Sequence, residues 1–577
     1  MAQFEIKDGV AIIPEGTTKI EYGVFLNCTS LESIIIPESV TEVEKYAFSG
    51  CTSLKSITIP KLVTENVPIF LSGCTSLESS VVAEGNPKYD SREGCNAIIE
   101  TATNTLIQGC KTTFIPASVT KISFAAFRGC SSLESITIPN SVKEIGEYAF
   151  WGCASLKSIT IPDSVTKIES NIFEDCTSLE SVTIPNSVTS IGGWAFRHCS
   201  SLKSITIPES VTMIDGCAFE GCTSLKSITI PKSVTAIEVN PFGWCSSLES
   251  IVITGNREYC SPMNCNAIIE IVTNTLIAGC KTTVIPKSIK TIGDCAFSGC
   301  ASLESVVIPK GVDMIMKRAF EGCTSLKSIT IPESVTKIWD YAFMGCTSLE
   351  SVVIPKGVKV IMKGAFKDCS SLKSITIPES VTKLDSNLFE GCTSLESVTI
   401  PDSVTSIGGW AFGHCSSLKS ITIPESVTKL EHGAFSDCTS LESITIPDSV
   451  TEMTYPMFCC LGVFQGCTSL KSITIPESLT TISDKSFYGC TSLESVVIPQ
   501  GVKSIKSEAF SNCTSLTMVT LPAGVDKIEE YVFDECSALA TIYVPAKKAG
   551  YYKKRLPEEL HDKIVELTPE KKTKIKK

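Results

Sequence analysis

The sequence predicts a solenoid, in which one chain winds into a stack of similar coils, rather than a set of separate globular domains. Three observations lead to this prediction. A short pattern recurs every 23 residues along most of the 577-residue chain. Each copy has a leucine and two isoleucines at strand spacing, followed by a proline. One copy has too little apolar surface to fold alone, so the copies must stack and share a core.

A cysteine that follows a phenylalanine by three residues marks the end of almost every copy. Within each run these repeat cysteines are 23 residues apart, and three steps are longer, at 56, 55 and 29 residues. Of the 29 cysteines, 20 occupy this position: Cys28, Cys51, Cys74, Cys130, Cys153, Cys176, Cys199, Cys222, Cys245, Cys300, Cys323, Cys346, Cys369, Cys392, Cys415, Cys438, Cys467, Cys490, Cys513 and Cys536. The period therefore sets the register of the whole chain.

The two longest steps predict two coils each, one of them enlarged by a β-hairpin near 84–112 and near 255–282. Both contain Cys-Asn-Ala-Ile-Ile-Glu followed by Thr-Asn-Thr-Leu-Ile, which makes two β-prone runs around an Asn-containing turn. The step of 29 residues adds six residues near Cys459 and Cys460, and we expect a bulged loop there.

Within a copy, the pattern predicts which side chains face the core. In an extended segment alternate side chains point to opposite faces, so Ile159 and Ile161 point inward while Ser158 and Thr160 point outward. The proline that follows cannot donate to a β-ladder and ends the strand. Phe173 then closes the core before the next cysteine.

A charged residue just before the strand alternates in sign from copy to copy. The sign changes at 18 of 19 steps, the exception being Lys203 to Lys226. Opposite charges on neighbouring strands stabilise a sheet and like charges destabilise it. The alternation therefore disfavours a slip by one coil, although duplication of a two-repeat block explains its origin equally well. The series is Glu32, Lys55, Glu78, Lys111, Glu134, Lys157, Glu180, Lys203, Lys226, Glu249, Lys281, Glu304, Lys327, Glu350, Lys373, Glu396, Lys419, Glu442, Lys471 and Glu494.

The residues that carry chemistry predict no catalytic, cofactor or metal site. Buried cysteines at a regular period pack as small hydrophobic residues, and we expect reduced thiols. Cys260 and Cys265 have no second pair at zinc-ligand spacing. His198 and His414 lie in near-identical repeats, and no Cys–His pair has an evident orienting group. We therefore expect no enzyme activity and no cofactor.

The cadence Leu-x-x-Ile-x-Ile, with a cysteine at the turn, is similar to leucine-rich repeats. The pieces Ile-Pro-x-Ser-Val-Thr-x-Ile and Ala-Phe-x-Gly-Cys resemble the BspA-like bacterial surface proteins, over roughly residues 8 to 545. The resemblance implies a leucine-rich-repeat solenoid, a right-handed curved superhelix. It would have a parallel β-sheet on the concave side, and short strands and helical turns on the other. It also implies adhesion or protein recognition, and a cell-surface or secreted location, although the sequence begins without a recognisable leader.

The predicted organisation has three parts. Residues 1–27 form an N-terminal cap and a first partial repeat, 28–545 form the solenoid with its two hairpin insertions, and 546–577 form a capping helix with a basic tail. The last part carries 11 Lys/Arg and 5 Asp/Glu, and its apolar residues are spaced for a short amphipathic helix interrupted near Pro557.

The predicted partner-binding residues lie away from the strands. Outward strand positions carry mainly Ser and Thr, which make a weak and repetitive surface, whereas the sequence varies most just before the repeat cysteine. Aromatic and arginine side chains often anchor interfaces. The candidates are Trp151, Trp194, Trp244, Trp339 and Trp410, with Tyr89, Arg92, Arg257 and Tyr259 in the hairpin regions. An alternative role for the tryptophans is to cap the core.

These features favour a non-catalytic scaffold that binds a protein or glycan over an extended surface. The net charge of −12 argues against a nucleic-acid partner, and no run of apolar residues is long enough for an integral membrane segment. We expect a monomer. The alternative reading is a structural spacer or stalk without a specific ligand, which the uniform Ser/Thr strand face would suit.

Overall fold

The structure, a computed structural model, describes residues 4–262, 265–454 and 461–567. The chain divides into two compact units, Met1–Val284 and Ile285–Lys577, and each is a stack of coils. In a typical coil a front strand is followed by a shorter back strand and then by the turn edge, which we define as the seven residues before the repeat cysteine. The predicted bulge at Cys459 and Cys460, and the tail from residue 570 onward, lie outside the described residues.

In the first unit the strands are short and the helices are few. The front strands are Val10–Ile12, Ser33–Ile35, Ser56–Ile59, Ser79–Val82, Ser158–Thr160, Ser181–Thr183, Ser227–Ile230 and Ser250–Ile253. The back strands are Lys19–Ile20, Glu42–Val43, Lys121–Ile122, Glu144–Ile145, Lys167–Ile168, Ser190–Ile191, Met213–Ile214 and Ala236–Ile237. Strand Ile6–Lys7 precedes them, and the helices are Val67–Phe70 and the 3-10 turn Arg92–Gly94.

The second unit repeats this arrangement. Its front strands are Ser305–Val307, Ser328–Thr330, Ser351–Val353, Ser374–Thr376, Ser397–Thr399, Ser420–Thr422, Ser443–Thr445, Ser472–Thr474, Ser495–Val497, Met518–Thr520 and Thr541–Pro545. Its back strands are Thr291–Ile292, Met314–Ile315, Lys337–Ile338, Val360–Ile361, Ser406–Ile407, Lys429–Glu431, Glu452–Thr454, Thr481–Ile482, Ser504–Ile505 and Lys527–Ile528. The chain then forms helix Ala549–Tyr552, the 3-10 helix Glu558–Lys563 and strand Ile564–Leu567.

The parallel pairing of successive coils confirms the predicted 23-residue register. Ser158 of one front strand lies opposite Ser181 of the next, and the back strands pair in the same way. Ile159 is buried, whereas Ser158 and Thr160 are exposed, as the alternation predicts. The solenoid of parallel-strand coils predicted from the repeat is therefore present.

Each repeat cysteine in the body of the stack links its coil to the preceding one. The Cys153 thiol donates to the carbonyl oxygen of Phe127, 26 residues earlier, with an Sγ–O distance of 3.2 Å. The Cys153 backbone N–H donates to the carbonyl oxygen of Phe150 and closes the turn. A small side chain with a weak donor fits this buried position, which explains why cysteine recurs there.

Phenylalanine rings stack along the core of each unit. In the second unit eleven rings stack from Phe297 to Phe533, with centroids 5.0 to 5.8 Å apart. In the first unit the run from Phe127 to Phe242 is built in the same way. Offset stacking adds to the free energy gained by burying the rings, so this column is a major part of the core.

The turn edge supplies a further set of hydrogen bonds between coils. The backbone N–H groups of Arg318, Phe320 and Gly322 donate to carbonyl oxygens of the next coil, those of Asp340, Ala342 and Met344, at 2.7 to 2.9 Å. Where we predicted helical turns, the structure has consecutive non-helical turns, and the only α-helices in the described residues are the two four-residue helices given above. Helix cannot propagate here because left-handed residues interrupt each turn edge and the N–H groups bond to the next coil.

Both long steps in the repeat contain antiparallel strands. Ile98–Glu100 pairs with Thr105–Gln108 around Asn104, which has a φ of +52°. Ala267–Glu270 pairs with Thr275–Gly279 in the same way. Tyr89–Asp90 and Tyr259–Cys260 add a third strand to the respective hairpins.

The C-terminal segment differs from the predicted amphipathic helix. Helix Ala549–Tyr552 is only one turn long, and Ile564–Leu567 is a strand that pairs in parallel with Thr541–Pro545. The sequence predicted a short helix interrupted near Pro557, and helical turns do lie on both sides of Pro557, but residues 564–567 form a strand because the last front strand leaves an open sheet edge. An added strand satisfies that edge, whereas a helix would leave its backbone groups unpaired.

The predicted charge alternation produces ion pairs between adjacent coils. In each pair the lysine of one coil meets the glutamate of the preceding one, as in Lys55–Glu32 at 2.6 Å and Lys203–Glu180 at 2.8 Å. Other pairs are Lys111–Glu78, Lys157–Glu134, Lys281–Glu249, Lys373–Glu350 and Lys471–Glu442. Most of these side chains are about half exposed, so each pair contributes only ~0–1 kcal/mol.

Replacing Glu180 by lysine should lower the melting temperature more at 10 mM salt than at 500 mM salt. The substitution places four lysines on consecutive coils, at 157, 180, 203 and 226, and salt screens their repulsion. Thermal melts at the two salt concentrations measure the effect. Asp163→Lys, which makes the same charge change at an exposed turn whose counterparts in the neighbouring coils are Asn140 and Asn186, is the matched control. An equal loss for Glu180→Lys at both salt concentrations would contradict the electrostatic explanation.

Candidate partner-binding surface

The turn edge has two positions in nearly every coil where the backbone is left-handed. The first lies five residues before the repeat cysteine and the second lies immediately before it. The second position is usually Gly, Asn, Asp or His, which suit this conformation. This requirement explains His198 and His414, whose φ angles are +57° and +59°, without any catalytic role.

The first left-handed position carries bulky side chains that its backbone does not favour. It is glycine at Gly364 and asparagine at Asn171, but tryptophan at Trp194 and Trp410, with φ angles of +56° and +58°. Tyr46, Tyr148, Arg318, Tyr341, Lys485 and Tyr531 occupy the same position in other coils. A left-handed non-glycine residue of this kind costs on the order of 1–3 kcal/mol, and such strain is enriched at functional sites.

Trp194 is the most exposed of the five tryptophans. It is 45% exposed, and Trp244, which occupies the second left-handed position of its coil, is 43% exposed. Two glycines precede Trp194, and a Cβ at Gly192 would lie only 2.7 Å from the backbone nitrogen of Ser170. The preceding coil therefore packs directly against the backbone at Gly192, and the indole of Trp194 points to solvent.

The other three tryptophans are half-buried and contact side chains of their own unit. The guanidinium of Arg128 lies 4.5 Å from the ring centroid of Trp151, and the ammonium of Lys337 lies 3.4 Å from that of Trp339. Trp410 stacks on His414 at a centroid distance of 5.5 Å. These rings can offer only one remaining face or edge to a partner.

The hairpin candidates separate into buried and exposed side chains. Tyr89 and Tyr259 are each only 4% exposed, and the Tyr259 hydroxyl accepts the backbone N–H of Ile237 at 2.8 Å. The guanidinium of Arg92 donates hydrogen bonds to the side-chain oxygens of Asp90 and Asn104 in its own hairpin region. Arg257 is exposed. Tyr89 and Tyr259 therefore serve in packing, because the hairpin strands fold over the core, and they cannot present a ring to a partner.

The turn edges also carry aromatic residues that the sequence did not single out, of which Tyr22, Tyr46 and Phe124 are exposed and Tyr148 is half-buried. Tyr22 and Tyr46 form an edge-to-face pair on neighbouring turn edges, and so do Phe124 and Tyr148. All four lie five or six residues before a repeat cysteine, so an alignment of the repeats could have identified them from the sequence. The first unit therefore has aromatic side chains along several coils of its turn edge.

The front face is less uniform than a Ser/Thr array. Val307 and Val353 replace the outward threonine and are 79% and 74% exposed. Other apolar side chains exposed at this strand position are Ile12, Ile35, Phe114, Val252, Val284 and Val497. The prediction of a nearly uniform hydroxyl surface therefore missed these positions, although each can be read from the repeat register.

Burial makes thiols inside the stack poor nucleophiles, and the described residues contain no cluster of metal ligands. Burial raises the pKa of Cys51 and of Cys346 from 9.0 to about 12, which disfavours the reactive thiolate. Across 4–262, 265–454 and 461–567, no group of three His, Cys, Asp or Glu side chains is arranged to hold a metal ion. Within the same ranges, no helix has both the length and the apolar character needed to span a bilayer.

Comparison with known proteins identifies the family. The model of the BspA type leucine-rich repeat region matches six times, at residues 10–105, 102–200, 166–278, 274–396, 382–462 and 461–554. None of the curated proteins is significantly similar to this chain.

Several solved bacterial structures are similar to the chain. A leucine-rich repeat protein from Bacteroides ovatus is 25% identical with a TM-score of 0.33, over 83% of this chain and 98% of its own. A leucine rich cell surface protein from Faecalibacterium prausnitzii is 27% identical with a TM-score of 0.32, over 81% and 87%. The six family matches cover most of the sequence and agree with the observed stack of coils, so the chain belongs to the BspA type leucine-rich repeat family.

Proposed function

We propose that this protein is a non-catalytic recognition and adhesion scaffold that binds a protein partner through the turn edges of its coils. The observation that carries the proposal is the exposed tryptophan at a strained backbone position. Trp194 is 45% exposed at a φ of +56°, where a neighbouring coil uses asparagine. Packing does not require an indole there, and interface anchors are enriched in tryptophan.

Aromatic residues on the turn edges of several coils support an extended contact rather than a single pocket. Tyr22, Tyr46, Phe124 and Tyr148 belong to turn edges of the first unit, as does Trp194. Rigid aromatic side chains on a rigid scaffold lose little conformational entropy on binding. The candidate contacts with the partner are Trp151, Trp194, Trp244, Trp339, Trp410 and Arg257.

A variant that carries Trp194→Asn, Trp244→Gly and Trp410→Asn should lose at least tenfold in affinity for its protein partner. The substitutions reproduce residues that other coils carry at the same positions, namely Asn171, Gly221 and Asn387, so the fold should be retained. Labelled chain is applied to an array of secreted and cell-surface proteins, and titration of each hit gives the affinity.

The matched control changes three exposed front-strand residues, Thr160→Ala, Thr229→Ala and Thr422→Ala. We expect its affinity to equal that of the unaltered chain. A loss as large as that of the tryptophan variant would place the contact on the front face instead. Saturable binding to a parallel glycan array but not to proteins would contradict the protein-partner proposal, and no binding to either would favour the structural spacer.

The proposal includes a cell-surface or secreted location, which membership of the BspA type family supports. It also keeps the organisation into an N-terminal cap, a solenoid and a C-terminal cap. Phe4 stacks on Phe25 at the first coil, and Ile564–Leu567 covers the last front strand, and both contacts suit capping elements.

A further inference from the structure

The last coil of the second unit borders a cavity at its turn edge. The floor of this terminal cavity is formed by residues 528–537, which precede and follow the last repeat cysteine. Its roof is formed by residues of the C-terminal segment between 554 and 563, among them Leu556 and Leu560. The cavity therefore lies where a further coil would continue the stack.

The backbone donors of this turn edge have no acceptor among the described residues. In the preceding coil, the N–H groups of Glu508, Phe510 and Asn512 donate to the next coil's carbonyl oxygens at 2.8 to 3.3 Å. The equivalent N–H groups in the last coil belong to Tyr531, Phe533 and Glu535. No hydrogen bond joins these three donors to residues 4–262, 265–454 or 461–567.

The C-terminal segment satisfies the other two sides of the last coil. Strand Ile564–Leu567 pairs with the front strand Thr541–Pro545. At the turn after the proline, the Tyr551 hydroxyl donates to the Val525 carbonyl oxygen at 3.0 Å, and Arg555 Nε donates to that of Asp526 at 3.1 Å. The C-terminal segment therefore contacts the last coil at its front strand and at the turn after the proline. It leaves a cavity at the turn edge, where the unused donors lie.

The phenylalanine column also ends at this cavity. Phe533 stacks on Phe510 with centroids 5.8 Å apart, and no described aromatic ring stacks on its other face. Phe533 lines the cavity and is 6% exposed, whereas the rings inside the column are fully buried. An aromatic group entering the cavity would therefore find an aromatic face beside it.

We propose that the terminal cavity binds a short peptide segment of a partner protein that takes the conformation of a turn edge and carries an aromatic side chain. Three donors at alternate residues match the alternate carbonyl oxygens that the next turn edge offers within the stack, so main-chain hydrogen bonds would hold the peptide, as they do in recognition by strand addition. Within the stack, the carbonyl that accepts the phenylalanine N–H belongs most often to an alanine that immediately precedes the next phenylalanine, as Ala342 precedes Phe343. The peptide should therefore carry a small residue followed by an aromatic residue that stacks on Phe533.

A heptapeptide with the sequence of residues 44–50, Glu-Lys-Tyr-Ala-Phe-Ser-Gly, is the probe. We expect saturable one-to-one binding to the full chain by isothermal titration calorimetry. The peptide with Phe replaced by Ala should bind at least tenfold more weakly, because it cannot stack. Hydrogen exchange followed by mass spectrometry should show slower exchange at 531–535 on binding and no change at 508–512.

Two protein variants separate the cavity from other surfaces. Phe533→Leu keeps an apolar side chain but removes the ring, and we expect at least a tenfold loss in affinity. Glu559→Trp fills the cavity from an exposed position of the roof without altering the coil, and should abolish binding even if Phe533→Leu does not fold. Glu494→Gln, at an exposed position just before a front strand, should bind as the unaltered chain does.

Several results would overturn the proposal. Equal affinities for the Phe and Ala peptides, or no saturable binding, would exclude recognition by the cavity. Strong protection of 531–535 in the free chain would mean that the donors are already covered. Self-association that the probe peptide displaces would identify a second copy of the chain, rather than a partner protein, as the occupant.

Discussion

Raising the pH from 8 to 10.5 is expected to unfold the protein, because the stack buries a column of protonated thiols. Burial raises the pKa of Cys346, Cys438 and Cys490 from 9.0 to about 12. The pKa of Cys199 and of Cys369 rises well above 9.0 for the same reason. The thiols of an unfolded chain would ionise near pH 9.

The sign of the effect follows from the protons that each state binds. Between pH 9 and 12 the folded chain keeps the thiol protons and the unfolded chain loses them, so stability falls as the pH rises. Each such thiol changes the free energy of unfolding by ~1.4 kcal/mol per pH unit in this range. Three thiols would remove about 6 kcal/mol by pH 10.5, comparable with the whole stability of a typical domain.

Circular dichroism between pH 7.5 and 11, with a phosphine reductant present, measures this transition. We expect loss of structure between pH 9 and 11 and recovery when the sample returns to pH 7.5. A variant with Cys346→Ala, Cys438→Ala and Cys490→Ala should show a weaker dependence on pH above 9, even if it is less stable at pH 7.5. A melting temperature that stays constant from pH 8 to 10.5 would refute the prediction.

Replacing Phe366 by alanine should destabilise the second unit by about 3–5 kcal/mol, the usual range for removing a buried ring. Phe366 lies within the column of eleven rings and stacks on Phe343 and Phe389 at 5.3 and 5.8 Å. Because each coil contacts only its neighbours, the gap should also reduce the coupling between the coils on its two sides. Urea denaturation should show a lower midpoint and a broader or divided transition.

Phe366→Leu is the matched variant, since it keeps most of the apolar volume and loses the stacked ring. We expect it to cost under half as much as the alanine substitution. If Phe366→Ala left the midpoint unchanged, the ring column would not be a principal source of stability. If both variants cost the same, burial of volume would matter little compared with ring stacking.

The repeat allowed most of the fold to be predicted because every coil buries the same pattern of side chains against its neighbours. The period placed Ile159 inside and Thr160 outside, and the charge series paired Lys203 with Glu180, all of which the structure bears out. The C-terminal segment does not contain the repeat, and the spacing of its apolar residues did not show that part of it forms a strand. Its outcome was decided by the open edge of Thr541–Pro545, a tertiary demand that local sequence does not express.

The candidate surface was only partly predictable. The tryptophans could be selected by residue type, but their exposure depends on which turn position they occupy. The side chain of Trp194 is exposed to solvent, whereas that of Tyr259 is buried and its hydroxyl accepts a hydrogen bond from the backbone of Ile237. The unused N–H groups of Tyr531, Phe533 and Glu535 could not be read from side-chain chemistry, since they arise from the backbone direction at the end of the stack.

The alternating ion pairs also bear on how the length of such a chain can change during evolution. Every interface between regular coils uses the same backbone and thiol bonds, so deletion of one 23-residue copy would preserve them. Deleting the copy that contains Glu350 would nevertheless place Lys327 beside Lys373. Loss or gain of two copies restores the order of charges, so we expect genetic recombination among the repeats to favour changes of an even number of copies.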